Sequence, residues 1–167
     1  GGYGFYPCSM VEAGDELRIY STASLSDHSG GGVPAGQNGG AMALHTLRRD
    51  GFMFLENYSG AGSIMTKNFD LEQPHLSVNV QAPVGEVRAQ VYVQTNVLPG
   101  GAPPTQRVAE GFSAGECLPF TGDALEWKPT WRSGKQLDVL LGQTLRVEIL
   151  FERGRLYSLE VGGILLA

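Results

Sequence analysis

The sequence predicts an all-β protein, a two-sheet antiparallel β-sandwich of the jelly-roll type. Turn residues are frequent, with 24 Gly and 9 Pro among 167 residues, and apolar residues recur in short alternating runs. No segment has the length and period of a stable amphipathic helix. Hydrophobic residues make up 42% and charged residues 17% of the chain, a balance typical of a folded domain rather than a disordered one. The length predicts one domain over residues 1–167, with a Gly-rich loop at about 24–40.

The strands are predicted in chain order from alternation and from turn signals. In the first third, Leu17–Tyr20 and Met42–Leu47 alternate, and Phe52–Leu55 follows the turn signal Arg49-Asp50-Gly51. This order predicts a hairpin or a tight corner at Asp50.

The later runs alternate more regularly. Ser63–Thr66, His75–Val80 and Glu86–Val93 are predicted strands, and Leu137–Gly142 is at most one short helical turn that ends on Gly. Leu145–Phe151 and Leu156–Val161 flank a predicted hairpin loop. The predicted core face comprises Leu76, Val78, Val80, Val87, Ala89, Val91 and Val93.

Charge and hydropathy exclude several classes of partner. With 12 Lys+Arg and 17 Asp+Glu the net charge is −5, which disfavours nucleic acid and anionic membrane surfaces. No apolar run approaches the ~18 residues of a membrane span. The start Gly1-Gly2-Tyr3-Gly4 lacks Met, so we expect a processed protein or an excised piece of a longer one.

The two cysteines, Cys8 and Cys117, both stand among apolar residues. They predict either two buried thiols or one long-range disulfide. No Cys/His cluster predicts a zinc site. No Asp-rich calcium loop is present, so we expect no cofactor and leave a structural calcium ion as an unplaced alternative.

No catalytic motif stands out. The sequence has no Gly-x-Ser-x-Gly elbow, and most carboxylates are explained by strand alternation or turns. His45 lies inside a strand pattern and His75 at a strand start, which favours ordinary structural roles. We therefore predict no catalytic residue, although a carboxylate pair brought together in space stays an alternative.

The strongest binding signal is aromatic. Trp127 and Trp131 are the only two tryptophans, and in one extended strand they would point to the same face roughly 13 Å apart. Such a pair predicts a platform on which sugar rings stack, with Lys128 and Arg132 as polar partners. The alternative is that one or both indoles fill the core.

A second candidate for the binding site lies in the Gly-rich loop. Asp27 and His28 form a polar pair there without an evident structural role. We predict that they form either a loop hydrogen bond or a lip of the site.

The stretch Gly14–Gly51 resembles the end of the five-bladed propeller in glycoside hydrolase family 32-like proteins, where a strand pair closes the last blade and leads into a C-terminal β-sandwich. The rest of the chain resembles that sandwich. The matching features are Thr66-Lys67, Cys117–Asp123, the Trp131 segment, Leu145–Val147 and Leu156–Leu159. The resemblance implies a module similar to carbohydrate-binding modules. No position here corresponds to the propeller's catalytic carboxylates.

From the aromatic pair and the resemblance we predict a carbohydrate-binding or accessory module of a secreted polysaccharide-degrading enzyme. It would bind a polysaccharide or oligosaccharide and would itself not be an enzyme. A catalytic domain of the same parent chain is a further expected partner. The alternatives are a structural sandwich that braces a catalytic propeller and, in third place, a small β-sandwich glycan lyase or hydrolase.

Overall fold

A computed structural model describes residues 4–24, 39–95 and 105–166. These residues form an all-β protein, and no α-helix occurs among them. By its internal contacts the chain divides into two compact units, Gly1–Phe52 and Met53–Ala167, where its length predicted one domain. Each unit is described by itself. Most of the predicted Gly-rich loop, residues 25–38, lies outside the described residues.

The first unit contains a three-stranded antiparallel sheet in the order β1-β2-β3. Its strands are β1 (Gly4–Ala13), β2 (Glu16–Ser24) and β3 (Gly40–Arg48). On the central strand Leu17 and Ser21 are buried, and the Ser21 hydroxyl lies 2.8 Å from Nε2 of His45 on β3. That bond gives His45 the structural role predicted for it.

The second unit contains a seven-stranded sheet in the order β4-β10-β6-β9-β5, and β7 and β8 also pair with β6. Its strands are β4 (Leu55–Asn57), β5 (Gly62–Met65), β6 (Phe69–Gln94), β7 (Gln106–Val108), β8 (Phe120–Trp127), β9 (Thr144–Glu152) and β10 (Gly154–Leu165). A 3₁₀ turn, Leu137–Leu140, precedes Gly142, whose φ is +73°. This confirms the single short turn predicted there.

One long strand, β6, replaces the two strands predicted at His75–Val80 and Glu86–Val93. Its first arm pairs mainly with β10 and β8, and its second arm mainly with β9 and β7. In addition, Phe69 and Asp70 pair with β9, and Val87 pairs with β8. Along the second arm the partner residues on β9 run from Glu152 down to Leu145, so these two strands are antiparallel. The segment Pro83-Val84-Gly85 forms a corner between the arms. The strand bends at these turn-forming residues but continues through them.

The predicted hairpin between β9 and β10 is wrong. In the sheet order β6 lies between these two strands, and only Arg153 separates them along the chain. The common tight hairpin turns need two residues between the strands, and here Arg153, with a φ of 45°, stands alone. The chain instead turns a corner, so that β9 follows one arm of β6 and β10 follows the other.

The turn predicted at Asp50 is confirmed, and Asp50 adopts a φ of 58°. Of the two alternatives predicted there, the hairpin does not form. The strand β3 pairs with β2, and β4 pairs with β10.

The core of the second unit is built from the predicted face of β6. All seven predicted residues are buried, and the alternating residues of β9 pack against them. The β9 contribution is Leu145, Val147, Ile149 and Phe151. Phe112, Cys117 and Trp131, from the segment around β8, complete the cluster.

Candidate functional site

Trp127 is the last residue of β8 and faces Val78 of β6 in the strand pairing. Its ring is half-buried and stacks on Phe120, with centroids 5.4 Å apart and planes inclined at 25°. Both rings pack against the core cluster. Part of the indole therefore stays accessible on β8, but the ring already has an aromatic partner.

Trp131 does not share a platform with Trp127, and this corrects the aromatic pair predicted from the sequence. The Trp131 side chain is only 5% exposed and packs edge-on against Phe112 at 4.9 Å. Its Nε1 donates a hydrogen bond to the Ala89 carbonyl at 3.3 Å. The predicted spacing assumed one extended strand, whereas β8 ends at Trp127 and Trp131 pairs separately with Cys117.

Of the other predicted site residues, the structure describes two. Lys128 and Arg132 are exposed, and Nη1 of Arg132 donates to the Gly115 carbonyl at 3.4 Å. Asp27 and His28 lie outside the described residues. Their predicted part in binding stays a prediction.

A pocket with convergent polar groups lies elsewhere in the second unit, at the corner of β6. We call it the Arg155 pocket, and it encloses about 310 Å³. Strand β4 with the turn after it, the β6 corner and the start of β10 all contribute to it. The lining residues are Glu56, Asn57, Tyr58, Gln81, Pro83, Val84, Arg153, Gly154 and Arg155.

Arg155 is held in place on two sides. Its Nε donates to Oε1 of Glu56 at 2.7 Å, and its guanidinium lies over the Phe54 ring, 4.9 Å from the centroid. The Phe54 ring also contacts Tyr157 at 5.6 Å. Because Glu56 and Arg155 face each other in the β4–β10 pairing, backbone register places the two charges together.

The contacts of Glu56 favour its ionised form. The Tyr58 hydroxyl donates to its carboxylate, and together with the Arg155 guanidinium this lowers the pKa of Glu56. The same contact raises the pKa of Tyr58. A carboxyl with a lowered pKa keeps its charge as the pH falls, so the Glu56–Arg155 pair persists below the ordinary titration range of a glutamate.

A second hydrogen-bonded chain orients the amide of Gln81. Its Nε2 donates to Oδ2 of Asp123 at 3.0 Å, and its Oε1 accepts from the Tyr157 hydroxyl at 3.4 Å. A carboxylate only accepts hydrogen bonds, so Asp123 determines which end of the amide faces it. The polar groups of the pocket are thus set before any ligand arrives.

Apolar surface lies beside these polar groups. Tyr58 is 76% exposed and Val84 is 68% exposed, and Pro83 completes the corner. The pocket therefore offers an aromatic face, a guanidinium, a carboxylate and an oriented amide around one cavity. Such an arrangement suits a ligand with both apolar faces and hydroxyl groups.

The cysteines correspond to neither alternative predicted from the sequence. Both are free thiols, Cys8 exposed and Cys117 buried, so neither a disulfide nor a pair of buried thiols is present. Cys117 Sγ accepts a hydrogen bond from the Ala89 amide at 3.3 Å. Burial is the main cause that raises the pKa of Cys117.

We expect the native protein to expose one reactive thiol per chain. An aromatic disulfide reagent at neutral pH should modify Cys8 within minutes and Cys117 only after denaturation, because a buried thiol with a raised pKa forms little thiolate. The measurement is the number of thiols released before and after adding guanidinium chloride. A Cys8→Ser variant that still reacts in the native state would contradict the assignment.

The described residues hold no group of three or more His, Cys, Asp or Glu side chains suited to a metal ion. Among the same residues, no helix has the length and apolar character needed to cross a membrane. Comparisons with family models, curated proteins and solved structures found no match.

The sequence did not point to the Arg155 pocket. The sequence predicts a hairpin loop at Arg153-Gly154-Arg155 and assigns no particular role to Glu56. The available signal was the run Phe54-Leu55-Glu56-Asn57-Tyr58, which places two aromatics around a carboxylate. The partner of that run, on β10, is almost 100 residues further along the chain.

Proposed function

We propose that this protein is a glycan-binding module and that a sugar binds in the Arg155 pocket. The observation that carries the proposal is the exposed Tyr58 ring beside the oriented Glu56–Arg155 pair. Sugar rings have apolar C–H faces that pack on aromatic rings, and their hydroxyls both donate and accept hydrogen bonds. Glu56, Gln81 and Arg155 supply acceptors and donors around the cavity.

We further propose that the strands of residues 53–167 form a jelly-roll sandwich. The corners at Pro83–Gly85 and at Arg153 support this, because the chain changes direction at each: the first lies within β6, and the second joins β9 to β10. We also propose that the chain is an accessory module of a secreted polysaccharide-degrading enzyme. In support, the first compact unit ends at Phe52, next to the end of the stretch Gly14–Gly51 that resembles a propeller blade.

The bracing role is the second candidate, and a specific feature of the first unit favours it. Pairing places Tyr6 and Met42 on one face of the three-stranded sheet, and Leu44 faces the same way. These side chains are 55%, 75% and 53% exposed. An exposed apolar face of this kind suits contact with a neighbouring domain, here proposed as the catalytic domain of the same parent chain.

The test is a screen of the purified chain against immobilised polysaccharides, with calcium and with a chelator. We expect one glycan class to be retained, and we expect Tyr58→Ala to weaken its binding about fivefold, because a stacked aromatic ring contributes roughly 1 kcal/mol. Tyr58 is largely exposed, so its loss should leave the fold intact. Tyr6→Ala, an exposed tyrosine in the other unit, is the matched control.

A third variant, Trp127→Ala, separates the pocket from the site predicted on β8. If Trp127→Ala abolishes retention and Tyr58→Ala does not, the glycan binds at β8 and the Arg155 pocket is not the site. If no glycan is retained, the bracing role replaces the binding role. Release of unsaturated or reducing sugars from any polysaccharide would instead indicate a lyase or hydrolase.

A further inference from the structure

A second pocket lies far from the Arg155 pocket, where β6 begins. We call it the Arg146 pocket. It encloses about 300 Å³ and is lined by Lys67, Asn68, Arg146 and Leu166. None of these four residues lines the Arg155 pocket. The two pockets therefore do not share side chains.

A relay of side-chain hydrogen bonds leads away from Arg146. Its Nε donates to the Thr66 carbonyl at 2.8 Å and its Nη1 to Oε1 of Gln106 at 3.4 Å. Gln106 Nε2 then donates to Oδ1 of Asn68 at 2.8 Å. Asn68 Nδ2 donates in turn to Oε1 of Gln94 at 3.0 Å.

Arg146 determines the direction of the whole relay. A guanidinium only donates hydrogen bonds, so the oxygen of Gln106 must face Arg146 and its nitrogen must face Asn68. The same constraint then orients Asn68 and Gln94. At the far end of the relay, no described residue accepts a hydrogen bond from the Gln94 amino group. At the near end, the Arg146 guanidinium keeps N–H groups that the relay does not use.

The two charged side chains that line this pocket are both positive. Lys67 and Arg146 line it, no carboxylate is among the lining residues, and Lys67 forms no ion pair with any described residue. The nearest carboxylates along β6 and β9 are Asp70 and Glu148, which do not line the pocket. Asp70 accepts a hydrogen bond from Thr144 at 2.6 Å, and Glu148 accepts one from Tyr92 at 2.8 Å. Residues 96–104, which follow the second arm of β6, contain no Asp or Glu.

We propose that the Arg146 pocket binds a small oxyanion group, a carboxylate, sulfate or phosphate. Such groups only accept hydrogen bonds, and the pocket presents an excess of donors together with two positive charges. A guanidinium can hold two oxygens of one group, and a lysine ammonium adds a flexible point charge. On a chain with a net charge of −5, this is a local reversal of sign.

The experiment is a titration of the ¹⁵N-labelled full chain with sodium sulfate, with sodium chloride at equal ionic strength as the reference. The signals to follow are the side-chain NH₂ groups of Asn68, Gln94 and Gln106. We expect saturable shifts with sulfate that chloride does not produce. Parallel titrations with acetate and phosphate show which oxyanion the pocket prefers.

Two variants make the test decisive. Lys67→Gln removes one charge without touching the relay, and we expect it to weaken sulfate binding about fivefold. Lys128→Gln, an equal change of charge at an exposed residue on another segment, should bind sulfate like the parent chain. Equal affinities in the two variants, or identical responses to sulfate and chloride, would overturn the proposal. Neither outcome depends on whether a glycan occupies the Arg155 pocket.

Discussion

Replacing Trp131 by alanine is expected to destabilise the second unit by about 3–5 kcal/mol. The substitution removes a large aromatic side chain that is 5% exposed, together with its edge contact to Phe112. It also leaves the Ala89 carbonyl without the indole N–H that bonds it at 3.3 Å. Since a domain of this size is stable by only about 5–15 kcal/mol, such a loss removes a large share of the total.

The measurement is urea unfolding monitored by far-ultraviolet circular dichroism, with the free energy of unfolding from linear extrapolation. Trp131→Phe should lose less, about 1–3 kcal/mol, because it keeps most of the apolar volume and loses the hydrogen bond. Trp127→Ala is the control, since that ring is only half-buried. If Trp131→Ala were no less stable than Trp127→Ala, the placement of Trp131 in the core would be wrong.

Gly85→Ala is expected to destabilise the second unit by about 3 kcal/mol. A Cβ atom at this position would lie 1.8 Å from the Glu152 carbonyl oxygen and 2.7 Å from that of Arg153. Both atoms belong to the backbone of the β9–β10 corner, so no side chain can rotate away. The substitution should force the two corners apart.

The matched control is Gly115→Ala. Around Gly115 the nearest atom to an added Cβ is the Ser113 hydroxyl oxygen at 4.0 Å, so its free energy of unfolding should change by no more than about 0.5 kcal/mol. Urea unfolding of both variants against the parent chain provides the comparison. Equal midpoints for Gly85→Ala and the parent would show that the corners are not in close contact.

The sequence predicted several strands well, and it predicted the buried face of β6. Alternation located β2, β3, β5 and β9 within a few residues, and it identified the buried residues of β6 because a period of two assigns each side chain to one face. The single turn at Leu137–Leu140 was likewise predicted from its length and from Gly142.

Alternation carries no information about which strand lies beside which. The β9–β10 hairpin was the natural expectation for two runs close in sequence, yet both strands pair with β6. The continuity of β6 through Pro83–Gly85 was missed for a related reason. A turn signal marks a change of direction, and only contacts across the sheet decide whether the strand ends there.

For the candidate site too, the sequence predicted one part and the tertiary structure decided the rest. Composition alone singled out Trp127 and Trp131, but the core, through the Ala89 carbonyl and Phe112, decided that Trp131 is structural. The Arg155 pocket could not be located in advance because Glu56 and Arg155 are brought together by strand pairing.

The sequence by itself therefore determined the all-β class, the buried face of the two runs that form β6 and the turn at Asp50, because these depend on interactions local to the chain. Only the tertiary structure decided the strand order, the two corners and the residues that meet in each pocket. Backbone hydrogen bonds between strands are the same for every sequence, so the pairing of distant strands is selected by the packing of their side chains.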